Sequence, residues 1–305
     1  MATGIQAFRP PHTKLGECPL YREEDNTLHY IDMLGYSIHV LTLAEPYQAR
    51  VIRCPELISF MSFCHGGGYL VCYFQGIARV GDDGEWQVLK KIIPDEDKSA
   101  IRLNDGAIDS QGRLWVGTID LGLVAQAHVP DDQRPRGAVY RYDPDGTLTV
   151  HEPGEIICGN GIGWTPDDQT ALFTDSYRKI IWAYDFDSAT GTISNKRIFI
   201  DRRGQDGEPD GLVLDTAGNV YTFLWKGSYV VKYDSRGTFV RDWKINASRV
   251  THGAWVGKNF DELVVTSAEA DEGSTPWEGE EGGALFWIKD LGCAGMRKHK
   301  FGKAE

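Results

Sequence analysis

No apolar run in the sequence approaches the roughly 20 residues that a bilayer-spanning helix needs. The stretch from Met1 to Pro11 carries no apolar h-region, so no secretory signal is expected. Asn246-Ala247-Ser248, formally a glycosylation acceptor, is then not expected to be read. The six cysteines, at positions 18, 54, 64, 72, 158 and 293, include no C-x-x-C pair and no spacing with His that suits a metal. Most stand beside apolar residues, so buried reduced thiols are expected, and with them a cytoplasmic, reducing compartment. Positive charge is in deficit: 32 Lys and Arg against 44 Asp and Glu leave a formal net charge of -12. Without a basic stripe, neither nucleic acid nor an anionic membrane surface is an expected partner, and the acidity reads as solubility. Helical periodicity is almost absent from Gly16 onward, and no linker marks a second domain. A single domain over residues 1–305 is expected.

What is present is a series of β-runs of four to seven residues punctuated by turns. Residues 27–32 and 37–41 read as one hairpin, 69–73 and 76–80 as the next, then 114–118 with 137–142, 170–175 with 179–185, 219–224 with 229–234, and 262–267 with 283–288. The 35 glycines and 13 prolines are dispersed, as many short strands require, and the 41% hydrophobic content is enough for a sizeable core. One phrase recurs: Asn104-Asp105-Gly106, Asn160-Gly161 and Pro209-Asp210-Gly211, each placed just before an apolar run, 56 and 50 residues apart. A repeat of about 40–50 residues carrying about four strands is the signature of propeller blades. The predicted fold is all-β, a six-bladed β-propeller. Two segments break the rhythm, Leu121 to Arg136 and the acidic stretch Asp271 to Glu281, where Trp277 is a candidate pocket wall.

In a propeller, side chains at the same place in several blades converge on one ring. Glu17, Asn104, Asn160 and Asp210 would then offer two carboxylates and two amide oxygens. This hard, all-oxygen set suits Ca²⁺, Mg²⁺ or Mn²⁺ better than a structural Zn²⁺, and it points to a central metal site with positions left for water and substrate. Singly, each Asn-Gly or Asp-Gly is also ordinary turn chemistry.

Over about Leu15 to Leu291 the sequence resembles the SMP-30/gluconolactonase/regucalcin-like family. Gly16-Glu17-Cys18-Pro19 with Ile31-Asp32, the run Arg102 to Arg113 followed by Gly117-Thr118, Asn160 to Asp167 with Thr174-Asp175-Ser176, and Pro209 to Gly218 match its four ordered motifs. The resemblance implies one divalent cation (Ca, Mg, Mn or Zn) held by Glu17, Asn160 and Asp210, a substrate held by Arg102 and Asn104, and hydrolysis of a small lactone, typically of a sugar acid. Asp210 is the candidate catalytic base for the attacking water. Leu121-Gly122 stands where many members carry acidic residues that contact sugar hydroxyls, and His252 replaces a smaller residue. The imidazole is then either a proton carrier or a packed side chain. Hydrolysis of a non-sugar lactone or an organophosphate ester, and a non-enzymatic calcium-binding propeller, are the alternative readings.

Overall fold

The computed structural model describes residues 4–9, 13–126, 133–270 and 277–303. Residues 127–132 of the first irregular segment and 271–276 of the acidic one lie outside the described residues. The chain is all-β: six four-stranded antiparallel sheets, five in chain order and one completed by a strand from the N-terminal end, form the six blades of a β-propeller.

Two compact units are distinguished. The first comprises the residues up to Leu57 together with Gly204–Arg297. One of its blades runs Gly16–Arg22, Thr27–Asp32, Ser37–Thr42, Ala49–Arg53. Another runs Glu208–Leu214, Val220–Trp225, Tyr229–Tyr233, Phe239–Lys244. Its third runs Arg249–Val256, Glu262–Ala268, Leu285–Ile288, and is completed by Ala7–Arg9. The second unit, Ile58–Arg203 with the residues from Lys298 on, holds three more blades. They begin with the strands Ile58–Phe63, Ile101–Ile108 and Gly159–Trp164.

Burial grades across every blade. The second strands Thr27–Asp32 and Leu114–Asp120 are buried at each position. Fourth strands such as Ala49–Arg53 and Phe239–Lys244 are exposed at nearly every position. All six expected hairpins pair as read from the sequence. Apolar side chains fill the layers between blades. Val213, Tyr221, Phe223, Val250, Trp255 and Phe286 share one cluster in the first unit. Trp115, Ile162, Trp164, Phe173 and Phe186 share one in the second. All six cysteines are free, and no described helix is long and apolar enough to cross a membrane.

The strand Ala7–Arg9 was not foreseen. It pairs antiparallel with Leu285–Ile288 and so supplies the outer edge of the last blade. The Phe8 ring meets Trp287 edge-on at 4.9 Å, and the Ala7 N–H donates to Glu281 Oε2 at 2.9 Å. Removing residues 1–9 bares a strand edge and one aromatic pair. A loss of about 2 kcal/mol is expected, read as a melting temperature lowered by several degrees in circular dichroism.

Candidate functional site

Each blade's first strand contains a β-bulge. The ladder slips between Glu17 and Leu20, Ile58 and Phe60, Leu103 and Gly106, Gly159 and Ile162, Pro209 and Leu212, and Val250 and Gly253. A bulge leaves an extra residue out of register and re-aims its side chain. Asn104, Asn160 and Asp210 are each the first residue of their bulge, and Glu17 directly precedes its own. This corrects the expectation that these residues stand before a strand: each lies inside one. The Asn-Gly and Asp-Gly pairs that read as turns are the bulges themselves. Thr251-His252 and Ser59 occupy the corresponding places in the remaining two blades.

In the second unit the structure brings Arg102, Asn104 and the strand of Asn160 together. Arg102 Nη1 donates to Asn104 Oδ1 at 2.9 Å, and its guanidinium lies over the Phe74 ring, 4.4 Å from the centroid. Asn104 Nδ2 donates to the Gly159 carbonyl at 3.0 Å. A carbonyl only accepts, so the orientation of the amide is fixed. The Asn104 carbonyl in turn accepts from Ser59 Oγ at 2.9 Å. Asn104 is therefore engaged through both side-chain atoms. Asn160 differs: Nδ2 donates to Ser176 Oγ at 3.1 Å, while Oδ1 has no hydrogen-bond partner among the described residues. Beside Asn104, the Asp105 carboxylate accepts from the Gly106 N–H at 2.7 Å. Burial pushes its pKa up to about 6, against the pull of the Lys298 charge.

In the first unit Glu17 and Asp210 are both buried, on first strands that flank Arg249–Val256. Glu17 Oε2 accepts from the Cys18 N–H at 2.9 Å. Cys18 sits at φ 47°, the left-handed region that a bulge demands and a β-carbon resists. Thr251 Oγ1 donates to the Gly16 carbonyl at 2.7 Å. On the other side the His252 ring lies directly against Gly211, the residue after Asp210. His252 is buried, stacked at 5.7 Å on Phe223, with Nδ1 accepting from the Gly253 N–H at 2.7 Å. The imidazole is thus a packed side chain that abuts the Asp210 bulge. Trp277 is exposed, and its indole N–H donates to Asn246 Oδ1 at 3.2 Å.

Two aspartates at second-strand ends do supporting work that the sequence reading left unassigned. Asp32 accepts from the N–H groups of Lys14, Leu15 and Gly35 at 3.0–3.2 Å. Asp175 accepts from those of Ile157 and Cys158, both at 3.2 Å, and from Arg178 Nη1 at 2.6 Å. Each carboxylate pins the chain just before a first strand, upstream of Glu17 and of Asn160 respectively. Their recurrence one strand after each motif was the available signal. Ser176 stands in the same motif without an assigned partner, and Ser59 carried no signal. Among the described residues no three or more His, Cys, Asp or Glu side chains cluster as a metal site. The expected donor set, two carboxylates with an amide oxygen, is not of that kind.

Six bulged blades with polar residues at equivalent places define the class, a six-bladed β-propeller, and the sequence comparisons give the family. Residues 15–269 match the SMP-30/Gluconolactonase/LRE-like region, and the chain belongs to that family. It is 30% identical over 292 residues to pentonolactonase XacC of Haloferax volcanii, covering 92% of both chains. It is 26% identical over 290 residues to regucalcin of Danio rerio, covering 94% of this chain and 95% of that one. Among solved structures, a luciferin-regenerating enzyme superposes with a TM-score of 0.86 at 25% identity, over 97% of this chain and 98% of that one.

Proposed function

We propose that this protein is a metal-dependent lactone hydrolase that opens a small sugar-acid lactone to its hydroxy acid. The reading rests on one observation above others: near-full-length similarity to a pentonolactonase in a chain that keeps all four motif positions. Glu17, Asn160 and Asp210 would hold the cation. The donor chemistry fits: Asn160 has its nitrogen tied to Ser176 and its oxygen left over, and two carboxylates balance a divalent charge. Hard oxygen donors accept Ca²⁺, Mg²⁺ or Mn²⁺, and a catalytic Zn²⁺ is also compatible. When bound, such a cation polarises the lactone carbonyl.

The residues supply the rest. Arg102, held over Phe74 and bonded to Asn104, would meet carbonyl or hydroxyl oxygens of the substrate with its guanidinium. Asn104 is locked by Gly159 and Arg102, so it contributes position more than adaptability. Asp210 accepts a proton from water as the water oxygen bonds to the carbonyl carbon. The ring C–O bond then breaks, and the departing alkoxide takes up a proton to give the hydroxy acid. The free thiols support a reducing, cytoplasmic setting.

The test is metal analysis of the purified protein, chelation, and a pH-drop assay against aldonolactones and hydrophobic lactones with each cation restored. Acid release from an aldonolactone is expected to vanish on chelation and return with one or more of the cations. Turnover confined to hydrophobic lactones or organophosphate esters would replace the substrate. Cation-dependent melting without any turnover would replace the enzyme by a calcium-binding protein.

A further inference from the structure

Where the second unit departs from regular strands it forms a polar cavity of 260 Å³, bordered by Ser99, Asp120, Gly122, Gln126, Arg134 and Arg136. Asp120 organises it. This carboxylate is buried, and it accepts from the N–H groups of Gly122 and Leu123 at 3.1 Å on one oxygen and of Arg136 at 2.9 Å on the other. It therefore ties together both ends of the segment that leaves the blade after Asp120 and returns at Gly137. Tyr177 anchors the same segment by donating its hydroxyl to the Gln126 carbonyl.

Among the described residues, the charge balance of the cavity is lopsided. The carboxylate of Asp120 is spent on three backbone donors. The guanidinium groups of Arg134 and Arg136 border the cavity, are exposed, and make no hydrogen bond or ion pair with any described residue. Guanidinium stays protonated at any physiological pH, and its fork of donors matches carboxylate or phosphate oxygens two at a time. Ser99 and Gln126 add neutral polar groups. The volume lies below the range of about 300–1,000 Å³ that encloses whole drug-sized ligands, so it suits one polar group rather than a complete substrate.

The cavity also adjoins the residues assigned to substrate. Ile101 and Arg102 pair with Asp120 and Ile119, and the Leu121 N–H donates to the Ala100 carbonyl at 2.8 Å. We propose that this cavity is a subsite for an anionic group, a carboxylate or a phosphate, carried by the lactone away from its reacting carbonyl. The proposal rests on the reading that Arg102 and Asn104 hold the lactone. The two arginines would select acidic lactones over neutral ones.

The test compares three sugar lactones of one ring size: a neutral one, one with a terminal carboxylate and one with a terminal phosphate. Wild type, Arg134→Ala/Arg136→Ala and Arg134→Lys/Arg136→Lys are assayed against each. Wild type is expected to prefer one or both acidic lactones. The double alanine variant is expected to lose that preference tenfold or more, mainly through KM, and the double lysine variant to recover part of it. The carboxylate and phosphate arms separate the two anion sources. No preference in wild type, or an equal loss on neutral and acidic lactones, overturns the subsite. Should no lactone turn over, the hydrolase reading fails, and titration calorimetry with inorganic phosphate and a dicarboxylate decides the subsite alone. Binding weakened tenfold in the double alanine variant supports it. No binding to wild type, or equal binding to the variant, overturns it.

Discussion

Asp210→Asn is expected to lower kcat/KM for lactone hydrolysis by about three orders of magnitude while the protein still folds. A positioned general base contributes roughly 10²–10⁴ in rate, and an amide cannot take the proton. The same change removes one of two carboxylates proposed to balance the cation. Folding should survive, because Asn has the shape of Asp and burying a neutral amide is no harder than burying a carboxylate. The two roles of Asp210 separate by measurement. Metal content and cation-dependent melting report the ligand role, and kcat at saturating cation reports the base. A variant that keeps its cation and loses kcat marks Asp210 chiefly as base. One that loses the cation marks it as ligand. Glu17→Gln, which lacks the base role, should act only through the cation. An Asp210→Asn protein within tenfold of wild-type activity would remove this residue from the reaction.

The parts of the fold legible in the sequence were the fully buried strands. Tyr69–Tyr73 and Leu114–Asp120 are buried throughout; the first reads as a continuous apolar run, and the second opens on one, Leu114-Trp115-Val116. Fourth strands escaped because exposure frees them from any pattern: Trp86–Lys91 and Phe239–Lys244 carry charges on an outer edge. Ala7–Arg9 is three residues long, and only its pairing with Leu285–Ile288 makes it a strand. First strands were half seen. In Gly159–Trp164 the Asn160-Gly161 pair has the composition of a turn, yet the chain passes straight through it as a bulge. The proposed donors, Glu17, Asn160 and Asp210, were legible only as residue types at blade spacing. The partners that aim them were not, since the Gly159 carbonyl beside Asn104 and Ser176 beside Asn160 depend on register and on contact between blades. Arg134 and Arg136 sit in an irregular segment, where only the Asp120 carboxylate gives their position meaning.

The close approach of Gly211 to His252 yields the second large effect. Gly211 does not occupy the left-handed region, so alanine is compatible with its backbone. What is missing is room: a β-carbon there would lie 2.5 Å from His252 Cδ2 and 3.0 Å from its Cβ. The imidazole has little freedom to retreat. It is buried, it stacks on Phe223, and its carbonyl accepts from Thr266 Oγ1 at 3.2 Å. Gly211→Ala must then push the bulge, and with it Asp210. Overpacking of this kind destabilises by about 1–3 kcal/mol, and a displacement of about 1 Å at a reacting group can lower activity roughly 10²-fold. Both losses are expected in Gly211→Ala, read by thermal melting and by kcat/KM. His252→Ala provides the control. Alone it leaves a cavity and destabilises, but in the double variant the new methyl group occupies part of the space that the ring vacates. The double variant is therefore expected to be more stable than the sum of the single losses by about 0.5–3 kcal/mol, the size of coupling seen for residues in direct contact. Additive losses would mean that the bulge yields in another direction, and the His252 ring would then have no part in holding Asp210 in its proposed place.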